Sequence, residues 1–459
     1  MKILLARLKN SDDLELVAVF LLCVFLFGIC GYVAADIKNT GLYGALAFTL
    51  VLAFRDFARV KNNFISNLKE NKAILISAFS LFIVMLLTTA FPYDAQVYDF
   101  KDSYLYELFK DLKKELLFVF IALCVFSSKE KYARMVFVAL ALALAASNFG
   151  FIAEAVKGGV TFDDLFNKIN GGAQIDRNFA FYFDMTFAFA FLALFVFRSV
   201  VARVLIFAFI VLPAVALNLF AGARGSWIAG FIAVILILFV LWQKKPEIFA
   251  AVKYKKALFA ILALLVVFVS VESDFVKSRF DKSVSDDFTS QRDVILKTRL
   301  PVFFDSNRSF VGLGYGNRQY DVFFEKEFAK IKAKEVKKAK KSKKKPLSAG
   351  KLRMKHFGPF RVDKKDGKKV VRWLHDEPTL VAAYYHYGFI GTPIFAFMIF
   401  YLLYASYKRA KDNVLYLGLF GSMLAFYVIR GFFENLGTSF IFIMIGIFIL
   451  LNYKKESAN

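Results

Sequence analysis

Apolar runs of about 16 to 22 residues recur along this chain from near its first residue almost to its last. A run of that length crosses a hydrocarbon layer of roughly 30 Å as a helix, because in lipid each backbone N–H and C=O needs a partner within the segment. The chain is therefore read as an all-α polytopic membrane protein. Composition agrees: 58% of its 459 residues are hydrophobic, 21% are charged, and its 58 phenylalanines exceed what a water-soluble core would use.

About twelve apolar runs are found, the second and fourth of them short, at Leu14 to Ala35, Thr40 to Phe54, Ala73 to Phe91, Leu116 to Ser127, Met135 to Ile152 and Phe179 to Phe197 in the first half. Val204 to Ala221, Trp227 to Trp242, Ala257 to Val271, Phe389 to Tyr404, Val414 to Ile429 and Leu436 to Leu451 complete them. Alternate connections are basic, carrying Lys2, Arg7 and Lys9, then Arg55, Arg59, Lys61 and Lys69, then Lys129, Lys131 and Arg134. The series continues with Arg198 and Arg203, Lys244 to Lys256, Lys408 to Lys411, and Lys454 and Lys455. Positive charge marks the cytoplasmic side, so a multi-pass membrane protein with both termini in the cytoplasm is expected.

Three units follow: a bundle of about nine helices over residues 1–271, a large, partly helical periplasmic loop over 272–388 between helices 9 and 10, and about three helices over 389–459. Between Lys326 and Arg372 the loop holds twenty Lys and Arg against four acids, a net +16 of the chain's +24. That does not upset the orientation, because long loops translocate largely regardless of charge. The basic N-terminal stretch and its apolar run lack a small-residue cleavage site, so a retained first helix is expected. Cys23, Cys30 and Cys124 all lie in apolar runs and read as small hydrophobes. No internal repeat of the kind that marks many secondary transporters is evident.

Within the loop, Asp286 to Phe304 has near-helical apolar spacing, with Ser285 or Ser290 as caps. GLGYGN, Gly312 to Asn317, reads as a tight turn rather than a nucleotide loop, since it lacks the strand and helix of that fold. A second helix is expected over Asp321 to Ile331, and KKAKKSKKKP beyond it reads as a solvated low-complexity tether. Without interleaved aromatics it points to phosphate-bearing lipid headgroups or acidic glycans as partners, and not to nucleic acid. A helix led by Pro378 then runs into the tenth span.

Few residues could carry chemistry. Arg224 in GARGSW is set between two apolar runs on the outer side, where the topology does not require positive charge. Drawn toward the bilayer centre an arginine costs at least about 2.5 to 3.5 kcal/mol, so one held there is usually paired or functional. Its natural ligand is an anion such as phosphate, gripped by two parallel N–H bonds. Arg292 and Arg299, seven apart, share one face of the expected helix, unless they bond Asp287 or Asp293 on a solvated face. Arg177, at the outer start of the sixth span, is of the same kind, and several such arginines would make a diphosphate clamp.

His375 in WLHDEPTL is one of three histidines, with His356 and His386. An unperturbed histidine titrates near about 6.5, so it can activate a sugar hydroxyl at neutral pH, with Asp376 or Glu377 orienting it; a capping or surface role is the alternative. HDE has no second histidine at helical spacing and no aspartate pair to complete a site, so no metal and no other cofactor is expected.

Three stretches resemble a known family: GARGSWIAGFIAVILI at Gly222 to Ile237, SQRDVILK followed by VGLGYGN within Ser290 to Asn317, and WLHDEPTLVAAYYHYGFIGTPIF at Trp373 to Phe395. Their order and their placement around a late loop are similar to the O-antigen ligase and polymerase superfamily. The resemblance implies a metal-independent glycosyltransferase that moves a glycan from undecaprenyl diphosphate to an acceptor at the periplasmic face. It implies that Arg224 and Arg292 hold the diphosphate and that His375 is the general base. Ligase, polymerase and protein O-oligosaccharyltransferase share these motifs. The basic loop favours an acceptor bearing phosphates, such as lipid A–core, and hence the ligase. In this chain Asp376 stands where asparagine commonly follows the histidine, and the lysine-rich insertion has no counterpart in the family pattern. A transporter for lipid-linked oligosaccharide, the competing class, predicts cations deep in several helices together with repeat symmetry.

Overall fold

A computed structural model of the chain describes residues 10–93, 104–161, 164, 175–252, 254–273, 292–341, 347–365, 368–375 and 377–453. Ser285, Asp286, Asp287, Ser290 and Asp376, named above as caps or partners, lie outside these residues. The first helices are α1 (Ser11–Cys30), α2 (Ala35–Arg55), α3 (Phe57–Glu70), α4 (Lys72–Ala90), α5 (Tyr104–Val125), α6 (Glu130–Lys157) and α7 (Phe179–Val196). They are followed by α8 (Val200–Ala221), α9 (Arg224–Lys244), α10 (Pro246–Ala250) and α11 (Lys255–Glu272). The loop contributes α12 (Arg292–Phe304), α13 (Asn317–Lys341), α14 (Ala349–Phe357) and strands β1 (Phe360–Lys365) and β2 (Lys368–Trp373). Last come α15 (Thr379–Arg409), α16 (Tyr416–Phe433) and α17 (Thr438–Leu450).

Among the described residues nine helices are long and apolar enough to cross a membrane: α1, α2, α4, α6, α7, α8, α9, α15 and α16. The other three expected spans are also helical but less extensive in apolar length. α11 is apolar over Phe259–Glu272, α17 is short, and the first half of α5 carries Glu107, Lys110, Asp111, Lys113, Lys114 and Glu115. The connection expected around Arg59 and Lys61 is itself a helix, α3, whose buried Asn67 donates to the carbonyls of Leu123 (3.0 Å) and Phe126 (2.8 Å) and so satisfies the end of α5.

Basic connections meet at one end of the bundle. Arg59 and Lys129 both pair with Asp12, Arg409 donates to the carbonyl of Glu70 (3.3 Å), and Lys244 donates to the carbonyl of Tyr407 (2.7 Å). At its centre is α7, FAFYFDMTFAFAFLALFV, buried on nearly all sides as an all-round apolar helix must be. Phe183 and Phe187 stack along it at 4.3 Å, and α6, α9 and α16 pack around it. Asp184, an acid in this setting, is fully buried.

The large loop forms a second core of its own. Phe303 from α12, Tyr320, Phe323, Phe324 and Phe328 from α13, Leu352 and Phe357 from α14, Trp373 from β2 and Tyr385 from α15 pack together. α13 extends well past the expected Ile331 and takes in the start of the lysine run, because its Phe323–Phe328 side is anchored in that core. The hairpin was not expected; β1 and β2 pair antiparallel with Phe360 opposite Trp373. Its signal is the alternation in FRVDKKDGKKVVRW about an Asp-Gly pair.

The GLGYGN turn docks on α15 at a kink. Gly312, Gly314 and Gly316 have φ of 87°, 99° and 96°, and Gly388 inside α15 has φ 60°. The amides of Leu313 and Gly314 donate to the carbonyls of Tyr385 (2.8 Å) and His386 (3.1 Å), while Phe389 N–H donates to Ser309 O (3.1 Å). The kink frees these α15 groups, and the turn satisfies them. This clasp fixes the loop core against the bundle.

Candidate functional site

GARGSW turns one helix into the next. Gly222, at φ 67°, ends α8 with its N–H on Leu219 O (3.0 Å), and α9 starts at Arg224. Arg177 stands just ahead of α7, where Asp176 accepts from the amide of Asn178 (2.9 Å). Arg292 is the first residue of α12. Arg430 ends a π-helical stretch of α16, Leu424–Arg430, and Glu434 follows four residues on. Thr379, at the start of α15, donates to Glu434 O (2.8 Å) and accepts from Leu436 N–H (3.0 Å), which ties the Glu434 segment to the chain that carries His375.

These pieces enclose one cavity of about 310 Å³, lined by Arg177, Asn178, Ala223, Arg224, Gly225, Arg292, His375, Arg430, Glu434 and Asn435. Four of the five residues singled out from the sequence, Arg177, Arg224, Arg292 and His375, thus line a common space although they are spread over about 200 positions. Four arginines face one carboxylate, the makings of a site for an anion of more than one charge. A comparable hollow of about 330 Å³ between α4 and α15 is lined by Ile76, Ser77, Ser80, Pro393, Ile394 and Phe397 and offers no group for acid–base or ionic chemistry.

Arg299 is not among the lining residues. It is fully buried in the loop core, where Nε donates to Phe357 O (2.7 Å), Nη2 to Pro359 O (2.6 Å), and Nη1 to Leu374 O (2.6 Å) and Tyr320 Oη (2.7 Å). Glu377 balances its charge at 3.3 Å and also accepts from the Tyr320 hydroxyl. Burial pushes the Glu377 carboxyl above its ordinary value and the Tyr320 hydroxyl well above its own. The face shared with Arg292 therefore serves the fold at Arg299, holding the segment before His375 in place.

Residues the sequence reading did not single out complete the site. The Arg430 guanidinium meets Asp184 Oδ2 at 3.0 Å and sets Nε and Nη2 each 3.0 Å from Glu434 Oε2. Asp184 Oδ1 accepts the Ser226 hydroxyl at 2.6 Å, and Ser226 is two residues beyond Arg224. A buried chain thus links α7, α9 and α16 and orients Arg430. Glu434 lies 3.8 Å from Arg292 as well. Burial opposes its ionisation, but Arg430, with Arg292 and Arg177, outweighs that and holds its carboxyl below the ordinary value. An acid within an apolar run, and an arginine at a span end four residues before a glutamate, were the available signals for Asp184 and Arg430.

His375 presents its ring to the cavity edge. Its Nε2 is 3.5 Å from Asp321 Oδ1, and the Tyr320 ring stands 4.2 Å from its own, tilted by 51°. Glu377, expected as a possible orienting group, is engaged with Arg299 and Tyr320 instead. No family model matches the chain, and no curated protein matches it.

Proposed function

We propose that this protein is a membrane glycosyltransferase of the O-antigen ligase type, moving a glycan from undecaprenyl diphosphate to lipid A–core at the periplasmic face of the bacterial inner membrane. One observation carries the reading: four arginines and a histidine, contributed by five separate segments, line one cavity at the ends of apolar helices. Glycosyl transfer expels a diphosphate, and negative charge grows on it as its bond to the sugar breaks. Guanidiniums held in place beforehand stabilise that charge without reorganising in the transition state. They supply the role a divalent cation plays elsewhere, so the reaction is read as metal-independent. His375 accepts the proton of the acceptor hydroxyl as the new glycosidic bond forms.

The location of the cations supports an enzyme over a transporter. Arg177, Arg224 and Arg430 stand at helix ends and Arg292 and His375 in the loop, whereas a flippase would gather its cations near mid-span. The three motif stretches support the superfamily, and α13 supports a phosphate-bearing acceptor: Lys330, Lys334, Lys337 and Lys341 are exposed and share one stripe of that helix. The alternating basic connections support twelve crossings, with α5, α11 and α17 included, and cytoplasmic termini.

The test is to mix purified protein with undecaprenyl diphosphate-linked glycan and lipid A–core, adding neither metal nor nucleotide, and to follow the acceptor's mass. The wild type is expected to add one glycan, and His375→Ala to do so at least about 10²-fold more slowly. Chain growth on the carrier alone would move the assignment to a polymerase, and no transfer of either kind would overturn the reading.

A further inference from the structure

The loop core brings a carboxylate beside His375 from 54 positions away in the chain. Asp321 begins the second turn of α13, directly after Tyr320. The Tyr320 ring is 4.2 Å from the His375 ring, and Asp321 Oδ1 is 3.5 Å from its Nε2. The same oxygen accepts the Trp373 N–H at 2.9 Å. Trp373 ends β2 two residues before His375, so this bond ties the carboxylate to the strand that delivers the histidine. The imidazole is thereby held against one face by Tyr320 and approached at one nitrogen by Asp321.

We propose that Asp321 is the positioning residue for His375: it keeps the proton on Nε2, leaves the lone pair on Nδ1 for the acceptor hydroxyl, and stabilises the imidazolium formed during transfer. This rests on the reading of His375 as the base. In the step, the acceptor O–H bond breaks and its proton goes to Nδ1, while the hydroxyl oxygen bonds to the anomeric carbon. The bond from that carbon to the diphosphate breaks, and its electron pair leaves with the diphosphate oxygen. Donation of the distal ring N–H to a carboxylate is a general means of fixing a histidine tautomer. At 3.5 Å the two groups are within ion-pair range without a formed hydrogen bond, and the buried Nε2 has no other hydrogen-bond partner among the described residues; contacts of this kind often tighten only when substrate is bound. Glu377 also senses the His375 charge but makes no hydrogen bond to the ring: its Oε1 takes Arg299 and Tyr320, and its Oε2 has no hydrogen-bond partner among the described residues.

Two variants test this in the full-length protein. Asp321→Asn retains an oxygen for the Trp373 amide but removes the charge, and Asp321→Glu restores the charge. Histidine ring ¹⁵N spectra of the labelled protein, assigned with His375→Ala, report the tautomer directly. The proposal expects the Nε2–H form in the wild type and a shift toward the Nδ1–H form in Asp321→Asn. It also expects kcat to fall about 10²-fold in that variant with KM little changed, partial recovery in Asp321→Glu, and no further loss when Asp321→Asn is added to His375→Ala. An unchanged tautomer in Asp321→Asn overturns the proposal, whether or not activity falls. If the wild type transfers no glycan at all, the reading of His375 as a base fails, and the spectra still decide whether Asp321 sets the ring.

Discussion

Two arginines seven residues apart on α12 have opposite fates. Arg292 lines the cavity 3.8 Å from Glu434, while Arg299 is fully buried with its donors on three carbonyls, Tyr320 and Glu377. Arg299→Ala strands Glu377 and those carbonyls, and breaking such a buried pair costs about 3 to 5 kcal/mol. Unfolding in detergent should therefore begin at a clearly lower denaturant concentration. Arg292→Ala should leave that midpoint nearly unchanged and slow glycan transfer about 10²-fold, as loss of one charge-stabilising donor does elsewhere. Glu434 allows a pH prediction. Its folded pKa is depressed, so its pairing is complete above the ordinary carboxylate range and is lost only as pH falls through the lower folded value. Between about pH 5 and 9 it stays ionised, so its own titration leaves no limb in the rate profile over that range. Glu434→Gln should lower the rate through a misplaced Arg430 without changing the shape of the profile. A changed shape would assign the proton transfer to Glu434.

At the level of elements, the site depends on the clasp between the GLGYGN turn and the kink of α15. A Cβ on Gly312 would stand 2.3 Å from His386 O, and one on Gly388 would stand 2.3 Å from Phe310 O, both at positive φ. Neither contact can be relieved by a side-chain rotation, because the obstructing atoms are backbone. Gly312→Ala and Gly388→Ala should each cost more than the about 1 to 3 kcal/mol of backbone strain alone. The expected readout is protease cleavage within residues 292–375 under conditions where the wild type resists it, with the apolar bundle remaining intact. The π-helical end of α16 acts similarly on the cavity: an extra residue in the turn sets the aim of Arg430 toward Asp184 and Glu434.

The orientation of the protein in the bilayer can be read by chemical labelling. Cys23, Cys30 and Cys124 are buried, so a membrane-impermeant thiol reagent should find little native background. Ser348 and Lys411 are exposed, the first at the start of α14 in the loop and the second beyond α15 among the basic connections. With the loop periplasmic, Ser348→Cys should label from outside in intact cells, and Lys411→Cys only after the inner membrane is opened. The reverse pattern would invert the topology and remove the cavity from the periplasmic face. Net +16 in the segment from Lys326 to Arg372 does not argue against this arrangement, since a loop of that length is not governed by its charge.

What was legible beforehand follows from how each property is encoded. Partition into lipid is close to a sum over neighbouring residues, so hydropathy alone located each apolar helix. However, α5 begins at Tyr104 and α15 at Thr379, well ahead of the apolar runs expected from Leu116 and Phe389, and three of the helices are shorter in apolar length than the rest. Arg177, Arg224, Arg292 and His375 were visible because each breaks a local pattern, a charge beside an apolar run or a rare residue beside a helix start. Arg299 broke the same pattern as Arg292, and no local signal separates a guanidinium facing a cavity from one enclosed by carbonyls. That difference was decided by the second core, in which α12, α13, α14 and β2 close around it. The joining of Asp184 to Arg430 and of Asp321 to His375 was decided the same way, across 246 and 54 positions. Such contacts depend on where packed helices bring side chains in space, and only the tertiary structure carries that information.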